Sequence, residues 1–293
     1  MTTAHARSVG SRRSLLRGLG ALGVAGALSG CTRVLGTVAE LGSDVTVRPD
    51  LAYGPDPRHR LDLYLPAGAH AGTPLVLFLY GGSWRWGARG RYRFAGYGLA
   101  ERGLAVAVAD YRLYPAVKFP VFNEDAARAA SWLQRSRKAL GFAPGPLHLT
   151  GHSAGAHMAA SLLLDRRYMV DAGGRHEDLG RLVGLAGPYA LQPSKIDFIA
   201  DIFRPAMPET LAMPVELARG DIPPVLLLHG GDDGLVPAVN SHALAAAITA
   251  KGGQAEARIY PDLGHRGAVL ALSRPFQGLA PVLEDTVGFL TEV

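Results

Sequence analysis

Ser153 sits in the pentad Gly151-His152-Ser153-Ala154-Gly155, with the apolar run LHLT before it and AHMAASLLL after it. A serine hydroxyl is inert at neutral pH unless a base within hydrogen-bond reach takes its proton and a carboxylate fixes the tautomer of that base. Two later stretches offer these groups in the order serine, acid, imidazole. PVLLLHGGDDGLVP carries Asp232 and Asp233 just beyond an apolar run, and YPDLGHRG carries His265 in a loop behind Gly264. The chemistry of such a set is acyl transfer, in which the hydroxyl attacks a carbonyl and water later releases the acyl group.

The other histidines fit the base role less well. His152 adjoins the serine but points elsewhere at a sharp turn, which leaves it as a candidate pocket-lining residue. His157 lies on the helix that leads away from Ser153. His229 ends a strand and is expected to be structural or pocket-lining, and His242 is expected on the surface of a helix.

Charge that develops on the carbonyl oxygen needs preorganised donors. The Ala154 amide is one, because it is among the unpaired N–H groups of the helix that Ser153 starts. The second is expected from LFLYGGSWRWG at 77–87, where Gly82 or Ser83 can turn a backbone amide outward. Trp84, which follows at once, is a further candidate for the pocket wall, whereas Trp86 reads as packing.

Positioning such groups takes a particular scaffold. TPLVLFLY at 73–80 has no polar face, as expected of a strand covered on both sides by helices. A helix from about Tyr92 to Arg102, the strand GLAVAVAD and a crossover helix over 121–138 follow. LHLT and the helix from Ala154 to Leu164 come next. RLVGLAG, PPVLLLHG and AEARIY supply three more strands, and a last helix is expected from about Phe276 to Leu290.

With two short strands at Leu51–Tyr53 and Leu61–Leu65, the sum is an open, mostly parallel sheet of about eight strands with an antiparallel entry. Such sheets bind ligands outside the carboxyl ends of their strands. Residues 189–219, interrupted by prolines, read as a cover over those ends. Gly151 and Gly155 let the strand before Ser153 and the helix after it approach closely.

The same residues resemble the α/β-hydrolase superfamily, in particular the serine carboxylesterase and lipase group near its acetyl-esterase and kynurenine-formamidase-like branches. The matching pieces are YGGSW for the His-Gly-Gly-Gly-type oxyanion loop, DYRLYP at 110–115, GHSAG, HGGDDGLVP, and the Gly264-His265 pair. The resemblance spans about residues 50–291 and implies an α/β-hydrolase fold. It implies Ser153 as nucleophile, His265 as base and Asp233, rather than Asp232, as the orienting acid, with Asp110, Tyr111 and Arg112 as scaffold. Tyr80 stands where the motif has its leading His, and Ser83 where it has its third Gly; the latter leaves less room for a bulky acyl group.

The expected activity is therefore hydrolysis of carboxylic esters, short-acyl ones foremost, by a single domain over 50–293. An amidase or arylformamidase would use the same triad. A noncatalytic binding module on this scaffold would be expected to have lost a triad member, and none is lost. No cofactor is implied, since no G-x-G-x-x-G follows the first buried strand and no Walker-type G-K-[ST] occurs, and no close His pair suggests a metal.

The formal charge of +5 is misleading. Arg7, Arg12, Arg13 and Arg17 fall in the first 31 residues with no acid among them, and the remainder carries +1, so no nucleic-acid partner is expected. SRRSLLRG followed by ALGVAGALSG and Cys31 reads as an export signal with a twin-arginine motif and a lipoprotein-like box over 1–31, then a linker over 32–49 in which the alternation VTV at 45–47 also allows an early edge strand. Cys31 is the single cysteine, which excludes an intramolecular disulfide and makes it the candidate lipidation site. The expected location is outside the bacterial cytoplasm, with the membrane touched only through that anchor and a small-molecule ester as the partner.

Overall fold

Burial at every position of β3 (Leu75–Leu79) and β4 (Ala105–Ala109) requires cover on both faces of the sheet, and their unbroken apolar runs LVLFL and AVAVA suit such strands. The structure, a computed structural model, describes residues 36–206 and 208–292. The twin arginines Arg12 and Arg13 and the Cys31 box lie outside the described residues.

One eight-stranded sheet runs in the order β1-β2-β4-β3-β5-β6-β7-β8. Here β1 is Thr46–Ala52, β2 Arg60–Leu65, β5 Leu147–His152, β6 Leu179–Leu185, β7 Val225–Gly230 and β8 Ala255–Tyr260. The β1–β2 and β2–β4 pairs are antiparallel and the others parallel, so the mostly parallel α/β-hydrolase sheet with its antiparallel entry is as expected. The chain leaves β3 for β4 on one side and comes back to β5 on the other. That switch point opens a crevice where a ligand can reach the strand ends. Register Leu79↔Gly151 sets the exits of β3 and β5 side by side, which places the oxyanion loop next to Ser153.

After a short helical stretch at 36–40, the helices are α1 (Arg93–Ala100), α2 (Val121–Leu140), α3 (Ala154–Leu164), α4 (Arg166–Asp171), α5 (Asp197–Phe203), α6 (Val239–Ala250), α7 (Gly267–Leu270) and α8 (Val282–Thr291). In α2, Phe122, Ala126, Ala129 and Leu133 share one buried face, the helical period of the sequence made physical. Every residue of α3 is buried, because it packs on the sheet beneath and on α2 and the cover around it. Among the described residues no helix is long and apolar enough to cross a membrane.

Two boundaries differ from expectation. The linker expected over 32–49 already belongs to the fold where it is described, since residues 36–40 are helical and Ala39 is buried, while its VTV stretch is the early edge strand the alternation allowed, β1 beginning at Thr46 and pairing with Leu65. The last helix does not start at Phe276. A 3-10 turn over Arg274–Leu279 precedes it, and Pro281, which lacks an N–H, stands as the N-cap of α8.

Residues 189–219 form short 3-10 turns at Pro193–Lys195, Glu209–Ala212 and Pro214–Leu217 around α5. Trp84 from the oxyanion loop meets Phe203 of α5 edge-on at 4.7 Å, and the Phe119 amide donates to the Ile202 carbonyl at 3.0 Å. These contacts fix the cover over the strand ends.

Candidate active site

Ser153 follows β5 at once and has φ 55° and ψ −121°, a conformation that L-residues rarely adopt. Such strain costs on the order of 1–3 kcal/mol and persists only where packing over-determines it. Packing does so here. A Cβ on Gly151 would stand 2.6 Å from the Gly155 carbonyl group, and one on Gly155 would stand 2.0 Å from the Leu79 oxygen. The Ser153 amide donates to the Leu185 carbonyl at 2.8 Å, which ties the bend to β6.

The structure brings the three sequence-predicted groups onto one line. His265 Nε2 is 3.0 Å from Ser153 Oγ, and His265 Nδ1 is 2.7 Å from Asp233 Oδ2. A carboxylate oxygen only accepts, so Nδ1 carries the proton and the bare Nε2 faces the hydroxyl. Asp233 Oδ1 accepts from the Leu235 and Val236 amides at 3.0 and 2.8 Å. Burial pushes the Asp233 carboxyl up, but the donors His229, His265 and the Val236 amide outweigh it and hold the group well below the ordinary carboxylate range. Asp232 is exposed and plays no part in this line.

The expected oxyanion donors carry no hydrogen bond of their own: the amides of Gly82, Ser83 and Ala154 have no acceptor among the described residues. Ser83 and Trp84 both have positive φ, 52° and 56°, a second strained turn beside the first. Gly82, at φ 139°, must be glycine, because a Cβ there would stand 2.0 Å from the Trp86 oxygen. Ser83 borders the cavity at the serine together with Ser153 and Ala154.

Tyr80, in place of the motif's leading His, is absorbed beneath the loop. Its hydroxyl donates to Asp110 Oδ1 at 2.8 Å and accepts from Arg58 Nη2 at 2.7 Å, and its ring stacks on Tyr111 at 4.7 Å. Tyr111 in turn donates to the Tyr80 carbonyl at 2.7 Å. Arg112 clasps the buried Asp125, which also binds His59. Asp110, Tyr111 and Arg112 thus act through the scaffold under the oxyanion loop.

The remaining histidines surround the line. His152 is not pocket-lining, contrary to expectation: it lies buried behind His265, and its Nε2 donates to the His265 carbonyl at 3.1 Å. Burial first, and the neighbouring His265 second, push its pKa down to about 3, so it is neutral at working pH. His229 is fully buried, with Nε2 2.8 Å from the Val236 carbonyl and 3.2 Å from Asp233 Oδ2, and Nδ1 2.7 Å from Ser241 Oγ. His157 bonds the Ala212 carbonyl of the cover at 2.8 Å, and His242 is exposed.

The positioning roles of His152 and His229 escaped sequence reasoning. The partner of His152 lies 113 residues away, whereas the placement of His229 four residues before Asp233, at the end of β7, was a usable signal.

A cavity of about 60 Å³ opens at Ser153, walled by Trp84, Pro188, Leu191, Ile196, Ile199 and Val236, with Phe198 and Leu235 at its edge. Trp84 therefore does line the pocket. Trp86 is 52% exposed rather than packed.

Comparison with known proteins fits this geometry. The BD-FAE family matches residues 61–172, and the prolyl oligopeptidase family matches residues 210–283. An isoprenylcysteine alpha-carbonyl methylesterase of Arabidopsis thaliana is 32% identical over 265 residues, 82% of this chain and 61% of that protein. A kynurenine formamidase of Danio rerio is 31% identical over 115 residues, 39% of this chain and 38% of that protein. The chain thus spans about three fifths of the length of the methylesterase. Among solved structures, esterase B of Lactobacillus rhamnosis inhibited by a tributyrin phosphonate superposes with a TM-score of 0.74 at 22% identity, covering 96% of each chain. Sheet order, motif set and these matches together give the chain the α/β-hydrolase fold and a sequence similar to the carboxylesterases that share it.

Proposed function

We propose that the protein is a serine hydrolase that cleaves carboxylic esters of small acyl groups through an acyl-enzyme. The observation that carries this reading is the line from Asp233 through His265 to Ser153, at 2.7 and 3.0 Å, with the unpaired Ala154 amide beside the nucleophile. His265 Nε2 takes the Ser153 proton as Oγ bonds to the ester carbonyl carbon. The carbonyl oxygen accepts the electron pair and lies against the Ala154 amide and that of Gly82 or Ser83. Collapse breaks the bond to the alcohol, which leaves with the proton from His265. Water then repeats both steps on the acyl-enzyme and frees the acid.

Fixed amides supply much of the acceleration. Loss of one such donor costs about 3 kcal/mol, or roughly 100- to 1000-fold in turnover. The methylesterase relative supports an ester substrate, and the cavity of about 60 Å³ supports a small group at the serine. Ser153→Ala is expected to keep the thermal unfolding of the parent while losing hydrolysis of short p-nitrophenyl esters and labelling by a fluorophosphonate. Continued labelling of Ser153→Ala overturns the assignment.

The formamidase match over 115 residues favours a second reading, in which the same triad opens an arylformamide. Faster turnover of an arylformamide than of p-nitrophenyl acetate decides for it. A noncatalytic binding role fits poorly with three triad members held at hydrogen-bonding distance.

Export and acylation at Cys31 are also part of the proposal, supported by SRRSLL and LSGC. Incorporation of labelled palmitate that disappears in Cys31→Ser is the expected result. Full-length, unprocessed chain in the cytoplasm contradicts it.

A further inference from the structure

The described chain starts beside the mouth of the site. A Cβ on Gly36 would stand 3.4 Å from that of Arg93, the first residue of α1, and Thr37 borders one hollow with Ala88 and Arg91 at the end of the oxyanion loop. Further on, Ser43 Oγ donates to Glu101 Oε1 at 2.7 Å, just past the last residue of α1. Residues 36–43 therefore run alongside α1 from its first residue to its last. The first end lies at the carboxyl edge of the sheet, because α1 follows β3 through the oxyanion loop, and β5 delivers Ser153 to that same edge. Cys31 is five residues before Gly36, a stretch that spans at most about 18 Å. An acyl group on Cys31 is thus tied to the rim of the site, not to the far side of the molecule.

The rim itself carries apolar side chains. Of the eight large apolar side chains most exposed among the described residues, four surround the mouth: Trp86, Phe198, Leu235 and Val239. Phe198 and Leu235 border the cavity at Ser153, the Phe198 carbonyl accepts from Arg85 Nε beside Trp86 at 3.0 Å, and Val239 opens α6 four residues after Leu235. Single exposed apolar residues are common, but several on one rim mark an interaction surface. Arg91 and Arg266 flank them. Both charges bear on Tyr92, whose hydroxyl lies 3.5 Å from the Gly81 carbonyl oxygen, and neither guanidinium has an acceptor among the described residues. Asp232, exposed in the loop after β7, offsets part of this charge, so apolar burial rather than net charge dominates at the rim. Indole at the membrane–water interface and arginine on lipid phosphate are the groups that seat a protein on a bilayer.

We propose that the rim formed by Trp86, Phe198, Leu235, Val239, Arg91 and Arg266 rests on the phospholipid bilayer that carries the Cys31 anchor, so that the site draws its esters from the membrane. The apolar side chains enter the boundary between headgroups and acyl chains, and the two arginines meet lipid phosphates. This rests on the hydrolase reading and on acylation of Cys31, both proposed above, and adds to them an orientation and a source of substrate.

Full-length protein extracted with its acyl group and returned to vesicles of phosphatidylcholine and phosphatidylglycerol tests the orientation. Phosphatidylcholine with brominated chains is expected to quench up to about a third of the tryptophan emission, since Trp86 is one of three tryptophans and the exposed one. Trp86→Phe is expected to lose that quenching. Acylated, vesicle-bound protein whose emission is not quenched overturns the docking and leaves the anchor standing, whereas protein that lacks an acyl group and stays off the vesicles removes both. A second test presents one acyl group in two phases, p-nitrophenyl acetate in water and hexadecyl acetate in the vesicles. Val239→Glu places a charge against the lipid and is expected to lower hydrolysis of hexadecyl acetate about fivefold or more relative to that of p-nitrophenyl acetate. An unchanged ratio overturns the supply of substrate from the membrane. Labelling of Ser153 by a fluorophosphonate reports on the hydrolase reading separately, so labelled protein that fails both tests loses the docking alone.

Discussion

His229 Nε2 stands 3.2 Å from Asp233 Oδ2, the oxygen that also accepts from His265 Nδ1. The same Nε2 lies 2.8 Å from the Val236 carbonyl, which can only accept, so Nε2 carries the proton and Nδ1 takes the Ser241 hydroxyl. His229 therefore donates to the acid from beneath and holds its carboxylate facing His265.

Replacing His229 by Phe removes that donor and leaves the Ser241 hydroxyl and the Val236 carbonyl unpaired. Hydrogen bonds to charged groups contribute about 1.5–3 kcal/mol. Turnover is expected to fall roughly 10- to 100-fold with KM within about twofold, because the ground-state pocket is untouched. His229→Gln, which keeps an N–H donor, should recover part of the loss. Steady-state kinetics of both variants, alongside their unfolding midpoints, separate positioning from collapse. Equal kcat in Phe, Gln and parent proteins would show that Asp233 needs no such support.

His152 works on the base from the other side. Its Nε2 donates to the His265 carbonyl, and its ring lies 4.9 Å from that of His265, while the Tyr92 hydroxyl approaches its Nδ1 at 3.5 Å. His152→Leu deletes the donor at similar volume. A neutral hydrogen bond contributes about 0.5–1.5 kcal/mol, so kcat is expected to drop about three- to tenfold at nearly constant KM. His152→Gln should restore most of it. A rise in KM with kcat unchanged would instead assign His152 to the pocket wall.

Much of this site was legible before any coordinates. Ser153, Asp233 and His265 stand out because each lies in a glycine-containing turn after a strand and the three occur in one order. The fold was legible for a related reason, since LVLFL and AVAVA leave no polar face and so demand two helical layers. Contacts between distant segments were not. Nothing near His152 indicates that its partner is the carbonyl of residue 265, and nothing in the run around Tyr80 announces that Arg58 and Asp110 take up its hydroxyl. The start of β1 at Thr46 was only half legible: the alternation VTV at 45–47 allowed an early edge strand, but with mostly exposed positions it could not be told from a tether.

The close approach at the elbow makes a stability prediction. A Cβ on Gly155 would meet the Leu79 oxygen at 2.0 Å, and that atom belongs to the rigid centre of the sheet. Gly155→Ala must push α3 off β3, at a cost of about 1–3 kcal/mol or more. A thermal midpoint several degrees lower, with Ser153 labelling slowed even in the folded fraction, is the expected outcome. An Ala variant as stable and as reactive as the parent would mean that the elbow is looser than this packing requires.

Buried histidines that refuse a proton weaken the fold in acid, His148, His157 and His152 most. Burial, followed by the charges of Arg181 and Arg137, pushes His148 down to about 4; burial brings His157 to about 4 and His152 to about 3. An unfolded histidine titrates near 6.5, so above that pH neither state holds the proton and stability is at its plateau. As pH falls from about 6.5 towards 4, the unfolded chain binds protons that the folded one refuses, and stability drops. At pH 4.5, two units below the unfolded value, each group has cost about 2–3 kcal/mol, about 8 kcal/mol for the three. Urea midpoints at pH 7.5, 5.5 and 4.5 should therefore decline steadily, and His148→Asn should flatten the decline. A midpoint constant from pH 7.5 to 4.5 would mean that these imidazoles accept protons inside the folded protein as readily as outside it.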